Sequence, residues 1–259
     1  MRMKILSPIL FLLIYSVSVS AQTRLATEAK GIVFDREKTV EFRLHTHGWA
    51  INYQIGTIKS YYKTSYYEFG LGELNSHKEV SSSTDPVGSI GGGSFRSYSY
   101  GKQNYAFVLR GGMGFKKYYS EKAAKNGVAV GVLFAGGLTA AIMKPYYLEI
   151  GSPRGTEIAK SIKYTPETET LFLDKNKITG SDGLFTGLSE SGIVPGAYGR
   201  VGLHLDWGAF DEFLRALEIG IQLDVFPKKL PIMVPLNGVN ENKPYFLNLY
   251  VSLQLGKRN

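Results

Sequence analysis

The chain has 259 residues, a formal charge of +8, 30 Gly, 17 Tyr, 14 Phe and no Cys. Without cysteine it forms no disulfide and carries no acylated N-terminal Cys, so it is not a lipoprotein and must hold itself together by hydrogen bonding and packing. Beyond the N-terminus no run approaches the roughly 18 consecutive apolar residues of a helical membrane span, and the mean hydropathy of −0.08 leaves any membrane residence to strands.

Residues 1–21 read as a secretory signal peptide: Arg2 and Lys4 precede a largely apolar Ile5 to Val19, and Val19-Ser20-Ala21 before Gln22 is a small-residue cleavage site. The exported chain then carries about +6, because Arg2 and Lys4 leave with the leader. Residues 22–38 follow as a short periplasmic segment, and 39–259 are expected to form the folded body.

From Thr39 the chain alternates apolar and polar residues in eight segments, the period-two signature of strands with one greasy and one wet face. The predicted strands are Thr39–Thr46, Trp49–Ile58, Ser65–Leu74, Asn104–Tyr118, Val128–Met143, Ala197–Trp207, Leu214–Phe226 and Leu247–Leu255. The last is the cleanest, with Leu247, Leu249, Val251, Leu253 and Leu255 against Asn248, Tyr250, Ser252 and Gln254. Links after the second, fourth and sixth strands are short. Those after the third, fifth and seventh are long, at about 75–103, 144–196 and 227–244, and only the first link on that side, His47-Gly48, is short. Sorting by parity suits an even-stranded barrel with short periplasmic turns and longer outer loops, and does not suit a secreted β-sandwich or calycin-like barrel. The expected fold is therefore all-β: an eight-stranded antiparallel transmembrane β-barrel in the bacterial outer membrane, with long extracellular loops and a last strand that closes on the first.

The inward faces would carry mixed charge. Glu41, Arg43, Arg110, Arg200, Asp206, Glu218 and Asp224, joined by Glu68, Lys116 and His204, are expected to pair as a polar plug, since eight strands leave an interior that side chains fill. A narrow ion path is the competing use of these residues. A lipid-modifying enzyme, lipid A deacylase-like, is the other alternative, because His45 and His47 end the first strand on the outer side; no nucleophile elbow or paired Ser/His spacing accompanies them. No metal or cofactor signature emerges: His204 and Asp206 share a face without a third ligand, and the glycines of Gly111-Gly112-Met113-Gly114 sit in a strand.

The positive balance suits the lipid bilayer and anionic lipopolysaccharide and needs no nucleic acid. The long loop 144–196 carries Tyr146, Tyr147, Tyr164, Leu171, Phe172 and Leu173, enough apolar area to fold over the barrel or to dock against another outer-membrane or periplasmic protein.

The signal peptide, the eight strands, the large outer loops and a terminal strand followed by Gly256-Lys257-Arg258-Asn259, with no final Phe, resemble the small outer-membrane β-barrel proteins of Bacteroidota, a group that includes accessory barrels of the type 9 secretion system. The resemblance implies a non-enzymatic accessory or scaffold subunit of a larger envelope complex, and it transfers no catalytic residue.

Overall fold

The computed structural model describes residues 34–82, 97–120, 127–151, 160–183, 185–208, 211–235 and 242–259. The expected leader at 1–21 and the segment from 22 to 33 lie outside the described residues. In chain order the elements are β1 (Arg36–His45), β2 (Gly48–Ser60), β3 (Lys63–Leu74), β4 (Ser81–Ser82), β5 (Tyr98–Ser99), β6 (Asn104–Tyr118), β7 (Ala129–Pro145), β8 (Tyr147–Ile150), β9 (Lys160–Lys163), a one-turn helix α1 (Glu169–Phe172), β10 (Ile178–Ser181), a 3-10 turn (Leu188–Glu190), β11 (Gly192–Asp206), β12 (Phe213–Val225) and β13 (Tyr245–Arg258).

Eight of these strands close into an antiparallel barrel in the order β1-β13-β12-β11-β7-β6-β3-β2. Closure is made by β1 and β13, whose register runs from Glu37 opposite Arg258 to His45 opposite Tyr250, so no edge strand is left with unpaired backbone groups. The eight sequence-predicted strands and their two faces match the barrel strands. The ends differ. β1 starts at Arg36 and β13 runs to Arg258, past the last clean apolar alternation. β11 starts five residues earlier than its pattern suggests and runs through Pro195, which lacks a backbone N–H. That is tolerated because β11 pairs with β12 only from Ala197 onward, so residues 192–196 have a strand on one side alone.

The strands are inside-out relative to a soluble protein. Along β1 exposed and buried residues alternate without a break. The buried ones include Glu37, Glu41 and Arg43, and the exposed ones include Val40, Phe42 and Leu44. The same inversion runs along β13, where Asn248, Ser252 and Gln254 are buried while Leu247, Leu249, Val251, Leu253 and Leu255 are exposed. An apolar belt continuous around a closed barrel far exceeds the few hundred Å² of contiguous apolar surface that soluble monomers tolerate. It is the surface a hydrocarbon environment accepts, with the strands hydrogen-bonded to one another around the wall.

Glycines let inward aromatic rings lie against the wall. A Cβ on Gly112 would collide with the Gly136 carbonyl and the Tyr198 hydroxyl, and one on Gly202 would come within 2.6 Å of the Tyr250 hydroxyl. The two ends of the barrel differ. At one, here the turn end, β2–β3, β6–β7 and β11–β12 are joined and β1 begins. At the other, the loop end, the connections 75–103, 146–191 and 226–244 carry all the smaller elements.

Candidate functional site: the filled lumen and the loop-end cap

The lumen is occupied by ion pairs and hydrogen bonds in two groups, one centred on Arg200 and extending to the loop end, the other at the turn end. At its centre Arg200 on β11 reaches Glu41 at 3.3 Å and Glu218 at 3.2 Å through one nitrogen, and the Tyr66 hydroxyl at 3.1 Å and Glu68 through another. Arg43 forks onto Glu41 at 2.9 and 2.8 Å and donates to Gln222 at 2.6 Å. His204 Nδ1 lies 2.9 Å from Glu218. Towards the loop end Arg110 forks onto Asp224 at 2.9 and 3.2 Å, and Gln222 donates to the same carboxylate at 2.8 Å. Towards the turn end Lys116 bridges Glu37 at 3.2 Å and Gln254 at 3.1 Å, while Arg258 binds Asp206 at 2.6 Å and the Tyr118 hydroxyl donates to Asp206 at 3.2 Å.

All seven network residues expected from the sequence thus face the lumen and are bonded to one another or to other lumen residues. Sequence reasoning missed Glu37 and Arg258, which lie beyond the ends it gave to the first and last strands, and the inward rings of Tyr66 and Tyr118. Tyr250 stands at alternate spacing between Asn248 and Ser252, which was signal enough to set its ring inside. Arg43 lies 5.0 Å from the centre of that ring. Carboxylates and cations in near balance at such distances satisfy each other's charge and fill the space an ion would need.

Above the charges sits an apolar stopper. Leu74, Ala106, Val108, Ala141, Met143, Val194 and Phe246 project inward from the loop-end halves of five strands and pack with Phe226, Leu230 and Ile232 from the β12–β13 connection. Backbone bonds fix the connection: Gln103 and Asn104 donate to the Ile232 carbonyl at 2.8 and 3.2 Å, and Val234 donates to the Gly101 carbonyl at 2.8 Å. Asn242 accepts from the Ile232 and Met233 amides at 3.1 and 3.0 Å and donates to the Met233 carbonyl at 2.8 Å.

A second apolar cluster lies in the loops. β10, β8 and β9 form a three-stranded antiparallel sheet, and Tyr98, Tyr146, Leu148, Phe172, Ile178 and Val234 form its buried centre with Tyr164 and Leu173 packed alongside. We refer to this layer as the cap. Of the loop residues expected to contact a partner, Tyr146 and Phe172 are therefore spent on the cap's own core, and Tyr164 and Leu173 partly so. Tyr147 is half-buried and donates to Glu190 at 3.0 Å, and Leu171 is the one that stands exposed. The large apolar side chains the cap turns outward are Leu171, Phe185 and Leu188, with Phe185 86% exposed.

The two histidines considered for lipid chemistry part company. His45 faces the lumen. His47 stacks on His77 with ring centres 4.0 Å apart, and its Nδ1 lies 2.7 Å from the Asn248 amide oxygen. Burial, with His77 beside it, lowers the His47 pKa below the ordinary histidine value. No group of three or more metal-ligating side chains is brought together among the described residues.

A closed eight-stranded barrel with an apolar outer belt and a charged, side-chain-filled interior is a transmembrane β-barrel of the outer-membrane type. No family model matches the chain, and no curated protein matches its sequence. Among solved structures it is similar to the N-terminal β-barrel domain of Pseudomonas aeruginosa OprF, at 8% identity and a TM-score of 0.37 over 87% of this chain and 97% of that one. It is also similar to Neisserial surface protein A, at 8% identity and a TM-score of 0.40 over 89% of this chain and 100% of that one. At such identity and superposition these likenesses carry no argument about function, and the fold stands on its own geometry.

Proposed function

We propose that this barrel is a non-enzymatic accessory or scaffold subunit of an envelope assembly in the bacterial outer membrane, working through its loop-end cap, which faces the cell exterior. The observation that carries the reading is the cap itself: loop segments folded into a sheet with its own buried core above a lumen already filled. Ordering loop backbone costs roughly 1–2 kcal/mol per residue, which a barrel needing only a membrane anchor has no use for. A filled interior and a stopper speak against transport, and the histidines, one in the lumen and one stacked on His77, speak against lipid chemistry at the rim. The resemblance to Bacteroidota barrels directs the search for the assembly to secretion machinery of the type 9 kind.

The test is affinity purification of the tagged barrel from membranes in gentle detergent, with a Phe185→Asp/Leu188→Asp variant in parallel. A stoichiometric envelope protein retained by the wild type and lost from the variant is expected. A monomer with no retained partner would sink the reading, as would a change in lipid A mass spectra when the gene is removed.

A further inference from the structure

The outer belt does not end alike at its two borders. Following each outward strand face to the turn end, five of the eight finish in an exposed cation: Arg36 on β1, with Lys38 one outward step inside it, Lys59 on β2, Lys63 on β3, Lys117 on β6 and Lys257 on β13; on β12 Arg215 lies one step inside the terminal Phe213. These five strands are consecutive around the wall in the order β13-β1-β2-β3-β6, so the cations form one arc. At the loop end the same outward faces finish in aliphatic or aromatic side chains, apart from Glu73 on β3, which accepts a hydrogen bond from Trp49. The only cation ending an outward face there is Lys144 on β7, and it is buried beside the Tyr105 ring.

Among the described residues two features leave the arc with an excess of positive charge. Lys38 is the register partner of Lys257, and Lys63 is the partner of Lys117; like charges directly opposite across a ladder are destabilising. Outside the lumen the acids at this end among the described residues are Asp35, Asp211 and Glu212, fewer than the cations, and Glu212 pairs with Lys257 at 3.0 Å, both side chains being more than half exposed. The arc also sits one residue step beyond the apolar belt. Val40 follows Lys38, Leu255 precedes Lys257 and Phe115 precedes Lys117, and all three are exposed. Trp207, exposed at the end of β11, marks the same border, and its amide donates to the Arg215 carbonyl at 3.1 Å. Cations placed just past a lipid-facing belt, beside interfacial aromatics, lie at the depth of headgroup phosphates.

We propose that this arc is a binding surface for anionic phospholipid headgroups, with the opposed pairs Lys38/Lys257 and Lys63/Lys117 each straddling a phosphate, and that it draws acidic phospholipid to the leaflet at the turn end. The inference rests on the membrane-barrel reading. A phosphate between two opposed lysines turns their mutual repulsion into attraction to a shared anion. Neutral zwitterionic lipid offers the same phosphate with a compensating cation, so the arc favours lipids whose headgroup carries net negative charge.

The chain has two tryptophans, Trp207 at the turn end and Trp49 at the loop end, and each can report on its own leaflet. Full-length Trp49→Phe and Trp207→Phe proteins are refolded into vesicles of phosphatidylcholine doped with dansyl-labelled phosphatidylglycerol or dansyl-labelled phosphatidylcholine, and energy transfer is read. The expected result is at least threefold more transfer from Trp207 to the anionic probe than to the neutral one, falling towards equality at high salt, with little preference at Trp49. Lys38→Gln, Lys63→Gln and Lys117→Gln together should abolish the Trp207 preference while insertion, read by heat-modifiable gel mobility, is kept. Excess inorganic phosphate that removes the preference without changing insertion would show that the arc takes phosphate without needing a bilayer, overturning the lipid assignment. Equal transfer to both probes from an inserted wild-type barrel would overturn the proposal and leave the membrane reading standing. Failure to insert into any vesicle would overturn both.

Discussion

Arg200 shows how much one side chain can be asked to hold. It is fully buried and is bonded to Glu41, Glu68 and Glu218, which belong to β1, β3 and β12. Removing it leaves Glu68 with the Tyr198 hydroxyl and no cation, while Glu41 keeps Arg43 and Glu218 keeps the His204 ring; a single broken buried pair costs about 3–5 kcal/mol. Arg200→Met is expected to lower the urea midpoint of the vesicle-bound barrel by at least that equivalent, and adding Glu218→Gln should recover part of the loss. A midpoint unchanged in Arg200→Met would show that the network is not a structural bond. Gly112→Val is the steric counterpart: with the Gly136 carbonyl and the Tyr198 hydroxyl in the way, overpacking of about 1–3 kcal/mol is expected from the same unfolding curves. Gly199, where an added Cβ meets nothing within 4 Å, supplies the control for loss of glycine itself.

Among the elements, the cap is where pH should be felt. Glu190 accepts hydrogen bonds from Lys163 at 2.6 Å and from Tyr147 at 3.0 Å, tying the 3-10 turn to β8 and β9. Those bonds hold the Glu190 carboxyl below its ordinary pKa, and the bond to Glu190 holds the Lys163 ammonium above its own. A carboxylate with a lowered folded value stabilises fully above the ordinary carboxylate range and loses that contribution as pH falls through the lowered value. The raised lysine contributes at low pH and loses its share only in alkali. The tie should therefore be intact at neutral pH and released in acid. Hydrogen exchange at β8 and β9 is expected to quicken below about pH 4 in the wild type, near the ordinary glutamate pKa, and to be already faster at pH 7 in Glu190→Gln. Equal protection of the two proteins at pH 7 would remove Glu190 from the account.

The elements also show what the sequence disclosed. The barrel strands were legible because each repeats its period-two contrast many times, and the parity of their links set the topology. The small strands β4, β5, β8, β9 and β10 were not: two to four residues do not repeat often enough to show a period, and they are held by the layer they form together. The stopper left a faint trace, since Ala106-Phe107-Val108 and Ala141-Ile142-Met143 are apolar on both faces at the loop end alone. A strand greasy on both sides is buried on both, and here one side meets lipid and the other Leu230 and Ile232. The pairings within the lumen stayed hidden because they depend on which strand lies across the barrel from which, and alternation along one strand carries no such information.

For the molecule as a whole, the described residues place a charged plug below an apolar stopper, and no water-lined route from end to end is expected. Planar bilayers containing the purified barrel are expected to show no stepwise conductance, and Leu230→Asp/Ile232→Asp alone should not open one, because the network lies beneath. Regular conductance steps from the wild type would contradict the filled lumen.

The side-chain bonds of the lumen also join parts of the chain that are far apart in sequence. Arg43 meets Gln222 across 179 positions, Glu41 meets Arg200 across 159 and Lys116 meets Gln254 across 138. Until β11, β12 and β13 have docked, the charges on β1 have only one another, Gln54 on β2 and, for Glu37, Lys116 on β6, and a partly assembled sheet holds them facing a half-open groove. The interior thus acts as a completeness check: closure and charge satisfaction arrive together, so folding at this high contact order is expected to be slow and all-or-none.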